Sequence, residues 1–512
     1  MWLSCDMMSG DFSLKTTNKE IPMLKTIIAR EFLNNILNLR FMIGLVLCII
    51  VTIACIMILA HDYKKELDDY NLRANLQDEF LNNYYSINYA RLLRPQKPPE
   101  RFRPLIIGIP GKENAESFDD NPLPILFPPL DFLFIVTIIM SLLAILFSYD
   151  AITGERQSGT LRLVIANSIS RTKILFGKLV GGAASLLIPF ILSLLVGALY
   201  ISVNPAIQWD GFAWAELAFL TAASCTFITL FYLLGLMLST FSRYSATSIL
   251  NCLFLWVLLI LVIPNMCPYI SAQLYRIPSI KETERKDSEI ERHSLEVFWE
   301  RNNETAKKFK SHYGKLWSEF ESMQFGGIGD LFSRVDPKYR EAAHQRAAAD
   351  PEFKRMMDAF VEEVEKAREE MVRIRGESDK LWEDLNTKAA FQTKLAKNLA
   401  CISPYANFVY VARDLTGTGL RSLEYFERTE KEHRKKWYGP YITKKFKDAQ
   451  KNDPTVTYDS FLDISDRPRF VFKEEALKDK LNEVLPYWGI LVLFNVLFFV
   501  AAFAGFMRYD VR

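Results

Sequence analysis

No phosphate-binding loop occurs anywhere in this 512-residue chain. The pattern GxxxxGK[ST] is absent: GIPGK at 108–112 and FGK at 176–178 both fail its spacing, so the chain has no such cradle for a nucleoside triphosphate. The five histidines (His61, His293, His312, His344 and His433) are scattered with no HExxH or other metal-ligand spacing, which reads them as solvated surface residues. No GxSxG elbow is present. Seven cysteines form no framework: Cys48, Cys55, Cys225 and Cys252 fall in apolar runs as small hydrophobes, while Cys5, Cys267 and Cys401 are single thiols far apart. With 62 basic and 60 acidic residues the net charge is +2, which gives no reason to expect a nucleic-acid partner. No catalytic set, metal site or bound cofactor is expected.

What the chain does have is long apolar runs. Half its residues are hydrophobic and 24% are charged, an average that results from membrane segments joined to a highly charged remainder. Six runs approach the roughly 20 residues that cross a hydrocarbon core: Phe41–Ala60, Phe132–Ser148, Leu179–Tyr200, Trp214–Leu238, Thr247–Met266 and Tyr487–Phe506. Their cores lack Asp, Glu, Lys, Arg and His, with Glu216 only at the outer end of the fourth. Ion-coupled carriers keep such residues at membrane depth, so no coupling ion is evident and the energy for any transport must come from elsewhere. Pro189 and Pro264 would kink or end the third and fifth spans.

Short connections set the orientation. Residues 150–178 carry Arg156, Arg162, Arg171, Lys173 and Lys178, whereas 201–213 has no Lys or Arg. Arg243 lies in 239–246, Arg508 and Arg512 lie in the tail 508–512, and Lys25, Arg30 and Arg40 precede the first span. The positive-inside rule then places both termini and loop 150–178 in the cytoplasm. Lys64, Lys65 and Arg73 argue the other way, but the segment 61–130 exceeds the length over which the rule operates. Within 1–40, Leu24, Ile28, Phe32, Ile36 and Leu39 share one face of a helix opposite Lys25, Arg30 and Asn34, as in a helix lying on the cytoplasmic leaflet and touching lipid. Residues 1–22 show no pattern.

Two segments then lie outside. Residues 61–130 begin helical and turn proline-rich from Pro95 to Pro129, with LIIGI at 105–109 the one strand-like run. Residues 267–486 form a domain-sized, mainly helical insertion. Its seams Leu295–Met323 and Phe353–Ile374 recur at spacings of three and four, continuing to Leu385 after a break at Gly376 and Ser378. GGIGD at 326–330 and Pro337 separate them, which reads as a coiled-coil-like helical hairpin whose second helix reaches roughly 45 Å. The fold expected is therefore an all-α polytopic membrane protein with six spans and a helical extracytoplasmic domain.

The basic loop carries the strongest resemblance. GERxxGTLR at Gly154–Arg162, SISR at 168–171 and GK at 177–178 closely resemble the cytoplasmic loop of type 2 ATP-binding-cassette (ABC) exporter permeases. That resemblance implies an ATPase-coupling role for Glu155, Arg156, Gly159, Thr160, Leu161, Arg162, Ser170, Arg171, Gly177 and Lys178, with Glu155 and Arg156 placed to pair with the ATPase surface. It also implies a separate ATPase subunit that binds ATP, a second permease (a copy of the chain or an unlike one), and a bacterial plasma (inner) membrane. SPYANFVYVARDLTGTG at 403–419 resembles the motif that members with a large outer domain carry before the last span, on Ser403, Pro404, Gly417, Thr418 and Gly419. The alternative is a membrane-anchored sensor or assembly protein that binds an extracytoplasmic protein partner through the hairpin and transports nothing.

Overall fold

The computed structural model describes residues 14–83, 95–109, 130–166, 170–205, 207, 209–323, 345–452 and 463–508. Among them there is no strand. Helix α1 (Leu14–Ile36) leads into α2 (Leu39–Asn83). The second span is α3, α-helical over Phe132–Phe134, π-helical over Ile135–Met140 and α-helical again over Ser141–Ser148. Two short helices, α4 (Thr153–Gln157) and α5 (Thr160–Ala166), lead to α6 (Arg171–Val203) and α7 (Gly211–Phe241). Helix α8 runs over Ser245–Val257, a π turn at Leu258–Val262 and Ile263–Leu274. Then come α9 (Ile280–Tyr313), α10 (Lys315–Met323), α11 (Pro351–Ala400), α12 (Pro404–Thr416), α13 (Leu420–His433, continuing as a π turn at Arg434–Tyr438), α14 (Gly439–Asn452) and α15 (Leu477–Met507).

Six of these helices are long and apolar enough to cross a membrane, and each overlies one of the six apolar runs. They pack as membrane helices do, through small residues and a few polar cross-links. A Cβ on Gly505 would lie 2.5 Å from Thr240 Oγ1. Trp256 Nε1 donates to Ser141 Oγ at 2.8 Å, and Asn495 Nδ2 donates to the Thr226 carbonyl at 3.1 Å. The fully buried side chains include Phe190 of α6, Phe227 and Phe231 of α7, and Phe506 of α15.

The regions outside the spans depart from the sequence expectation in four places. Helix α1 starts at Leu14, not at residue 23, so part of the patternless leader is helical. LIIGI at 105–109 is not a strand: 101–106 is a succession of turns that buries Leu105 and Ile106 completely, and the Leu105 carbonyl accepts from Phe132 N. Helix α11 passes through Gly376 and Ser378 unbroken for 50 residues, about 75 Å at 1.5 Å per residue instead of 45 Å. It runs antiparallel to α9, tied by Arg301–Glu370 and Ser378–Asp287, and its apolar core lies far from the bundle, around Trp317, Phe320, Phe353, Phe360 and Val364. GGIGD and Pro337 fall outside the described residues.

The fourth departure concerns 267–486, which is not wholly an outer domain. The end of α11 descends beside α8, where Ser271 Oγ donates to the Gln392 carbonyl and Cys267 packs on Ala400 and Ala406. The chain reverses at 401–403 and α12 climbs back. Phe408 stacks on Phe227 at 4.7 Å, halfway along α7. This helical hairpin is built into the bundle.

Candidate functional site

Loop 150–178 is clamped to the bundle from two sides. On one side Lys178, only 4% exposed, reaches both Glu155 Oε1 at 2.7 Å and Glu31 Oε1 at 2.8 Å. Three elements meet at that ammonium: α4, α6 and the amphipathic helix α1. The close approach has a steric basis, because a Cβ on Gly177 would come within 2.5 Å of Ile27, and one on Gly181 within 2.8 Å of the Ile28 carbonyl. Tyr232 of α7, fully buried against Gly182, donates its hydroxyl to the Lys178 carbonyl at 3.1 Å.

The other side is a row of serines at the junction of α7 and α8. Ser239 Oγ accepts from the backbone N–H of Ile152 and of Thr153, both at 3.0 Å. Ser245 Oγ donates to Gln157 Oε1 at 3.0 Å, and Ser248 Oγ to the Tyr149 carbonyl at 2.7 Å. Arg156 donates to the Ser242 carbonyl at 2.9 Å. Arg171 reaches the end of α15 and donates to the Met507 carbonyl at 2.7 Å, where it satisfies a helix C-terminus. Helix α1, loop 150–178, the α7–α8 turn and Met507 therefore share one end of the bundle.

Sequence reasoning placed Glu155 and Arg156 against a partner; the structure turns both inward. The outward edge is instead Gln157–Thr160 with Arg162 and Leu163, the last 69% exposed while Leu161 beside it is fully buried. Gly159 sits at φ +77° with open space around its Cβ position, so glycine is required there by backbone conformation and not by crowding. The hydroxyls of Ser158 and Thr160 lie 2.9 Å apart. Ser170 starts α6 without a side-chain cap. Glu31, Ser239 and Tyr232 were missed because each lies far in sequence from the motif it holds.

The second motif explains itself at the hairpin tip. In the π turn of α8, the Ile263 N–H bonds to the Leu258 carbonyl, five residues back. The next residue is Pro264, which has no N–H to offer Leu259. Ser403 Oγ donates to that Leu259 carbonyl at 2.5 Å. Pro404 takes the first helical position of α12, and Asn407 Nδ2 closes the turn on the Cys401 carbonyl at 2.6 Å. At the far end Gly417 caps α12 at φ +70°, and a Cβ on Gly419 would strike Asp414 Oδ1 at 2.5 Å. The Thr418 carbonyl accepts from Ile109 N.

Beside Gly417 the other end of the bundle is locked by charge. Lys480 of α15 and Glu216 of α7, 3% and 2% exposed, pair at 2.7 Å. Arg101 bridges Asp210 at 2.9 Å and Glu474 at 2.6 Å. Glu216 is thus a paired end-of-span residue.

The family model described as ABC-2 family transporter protein matches residues 25–511. The chain belongs to the ABC-2 transporter family. A probable ABC transporter permease protein, NosY of Stutzerimonas stutzeri, is 38% identical over 69 residues. That match covers 14% of this chain and spans 25% of the relative's length. Membership makes this a multi-pass membrane protein of a transporter family. The match begins within α1, at residue 25, and includes loop 150–178.

Proposed function

We infer that this chain is the membrane-spanning permease subunit of an ABC exporter, driven by ATP hydrolysis in a separate ATPase subunit and working beside a second permease. The observation that carries this reading is the clamp at Lys178. One ammonium ties the loop helix α4 to α6 and to α1, so a push on the loop's outward edge moves two spans and the amphipathic helix as one body. The Ser239 contact passes the same displacement to α7. The basic residues at the shared end of the bundle support a cytoplasmic side for it, and with it cytoplasmic termini in a bacterial inner-membrane protein. Energy from ATP fits the absence of any phosphate loop in the chain and of an ion-coupling residue mid-span.

The test uses spin labels at the exposed positions Leu146 on α3 and Leu192 on α6. In the complex with its co-purifying ATPase, ATP is expected to shift the label spacing. In the Glu155→Gln/Gly159→Ala double variant that shift is lost while hydrolysis continues. An equal shift in both would overturn the coupling role, and failure of any ATPase to co-purify would favour the sensor or assembly reading.

A further inference from the structure

Away from the bundle, a cavity of about 220 Å³ opens where the outer extension of α2 meets α13 and the segment 467–472. By the same measure a single water needs on the order of 10–15 Å³, so the space suits a small organic molecule. Its walls are of two kinds. Tyr70, Tyr438, Phe470 and Phe472 give aromatic faces, and Phe472 is braced edge-on by Phe426 at 5.3 Å. Among the described residues, Arg434, Arg467 and Arg469 give guanidinium groups against two lining carboxylates, Glu430 and Asp78. Arg434 is spent on Glu430, with Nε 3.0 Å from Oε1. Arg467, buried, pairs with Asp78 and also donates to the Ile464 carbonyl. Arg469 shares that same Asp78 at 3.5 Å and is 63% exposed at the cavity wall. His433 lines the space as well, with Nε2 3.2 Å from the Pro468 carbonyl. The lining thus carries one guanidinium more than its carboxylates neutralise, set beside four rings.

We propose that this cavity is a binding site for a small organic anion with a flat apolar body, its acid group on Arg469 and its body between the aromatic walls. Guanidinium recognises a carboxylate, sulfonate or phosphate through paired N–H donors, and the rings supply contact area that a simple inorganic anion would not use.

The experiment is calorimetric titration of the full chain in lipid nanodiscs, with empty nanodiscs subtracted, using 2-naphthalenesulfonate, the neutral 2-naphthamide and the cationic 2-naphthylmethylammonium. Saturable binding of one sulfonate per chain is expected, with the neutral and cationic probes at least tenfold weaker. Arg469→Gln should weaken the sulfonate at least tenfold, whereas Arg373→Gln on the outer face of α11 should not. Ala74→Trp, which fills the cavity from α2, should abolish binding of every probe. Absence of saturable sulfonate binding, equal binding of the neutral or cationic probe, or full binding by Arg469→Gln or Ala74→Trp would each overturn the proposal. No ATPase is needed, so the result stands apart from that of the permease reading.

Discussion

At the scale of single residues, a few side chains satisfy groups that neighbouring elements leave bare. Lys178 is the clearest. Its ammonium is nearly water-free between Glu31 and Glu155, so Lys178→Met leaves two carboxylates facing each other without the cation. Removing one partner of a buried ion pair costs about 3–5 kcal/mol. A large fall in the thermal midpoint of the detergent-solubilised chain is expected, with α1 becoming open to protease; an unchanged midpoint would contradict the clamp. Ser403→Ala leaves the Leu259 carbonyl facing Pro264 with neither a helix donor nor a hydroxyl. The expected cost is about 1–3 kcal/mol, read in the same melts, and Ala406→Ser next to it should not restore the loss.

At the scale of elements, what could be read in the sequence depended on whether a helix signals its environment by itself. The six spans do, because apolar runs of membrane length have few other uses. The hairpin seam does so only in part: Phe353, Phe360 and Val364 are buried where the spacing places them, whereas Leu295 and Trp299, which the spacing also puts in the seam, are exposed. Helix α12 does not. It is 13 residues long and carries Arg413 and Asp414, so it reads as soluble; contacts such as the stack of Phe408 on Phe227 and the bond of Ser403 to Leu259 reveal its place in the bundle. The supposed break at Gly376 fails for a related reason, because a glycine costs roughly 1 kcal/mol in a helix and the contacts of α11 with α9 outweigh it. Loop 150–178 was legible as a motif but not in its orientation, since Ser239 and Glu31, which hold it against the bundle, carry no local signature. The α9–α11 pair has its own apolar core, and a fragment covering Lys281–Leu399 should give a helical circular dichroism spectrum that melts cooperatively. Phe360→Ala should cost it about 3–5 kcal/mol. A random-coil spectrum would mean that the hairpin is held only by the rest of the chain.

At the scale of the whole molecule, the bundle is fastened at both ends by charge and left apolar between. One end gathers α1, loop 150–178, the α7–α8 turn and Met507; the other joins α7 and α15 through Glu216 and Lys480 and carries the long hairpin. In the proposed function, force enters at the outward edge of loop 150–178 from a separate ATPase, and Leu163 is the most exposed apolar residue of that edge. The direct measurement is ATP hydrolysis in affinity-purified preparations of the chain and of Leu163→Glu, from cells expressing each at equal membrane levels. Wild-type preparations are expected to hydrolyse ATP through a co-purifying subunit, and Leu163→Glu to lose at least nine-tenths of that activity together with the subunit. Hydrolysis undiminished in Leu163→Glu, or catalysed by the isolated chain, would contradict the account.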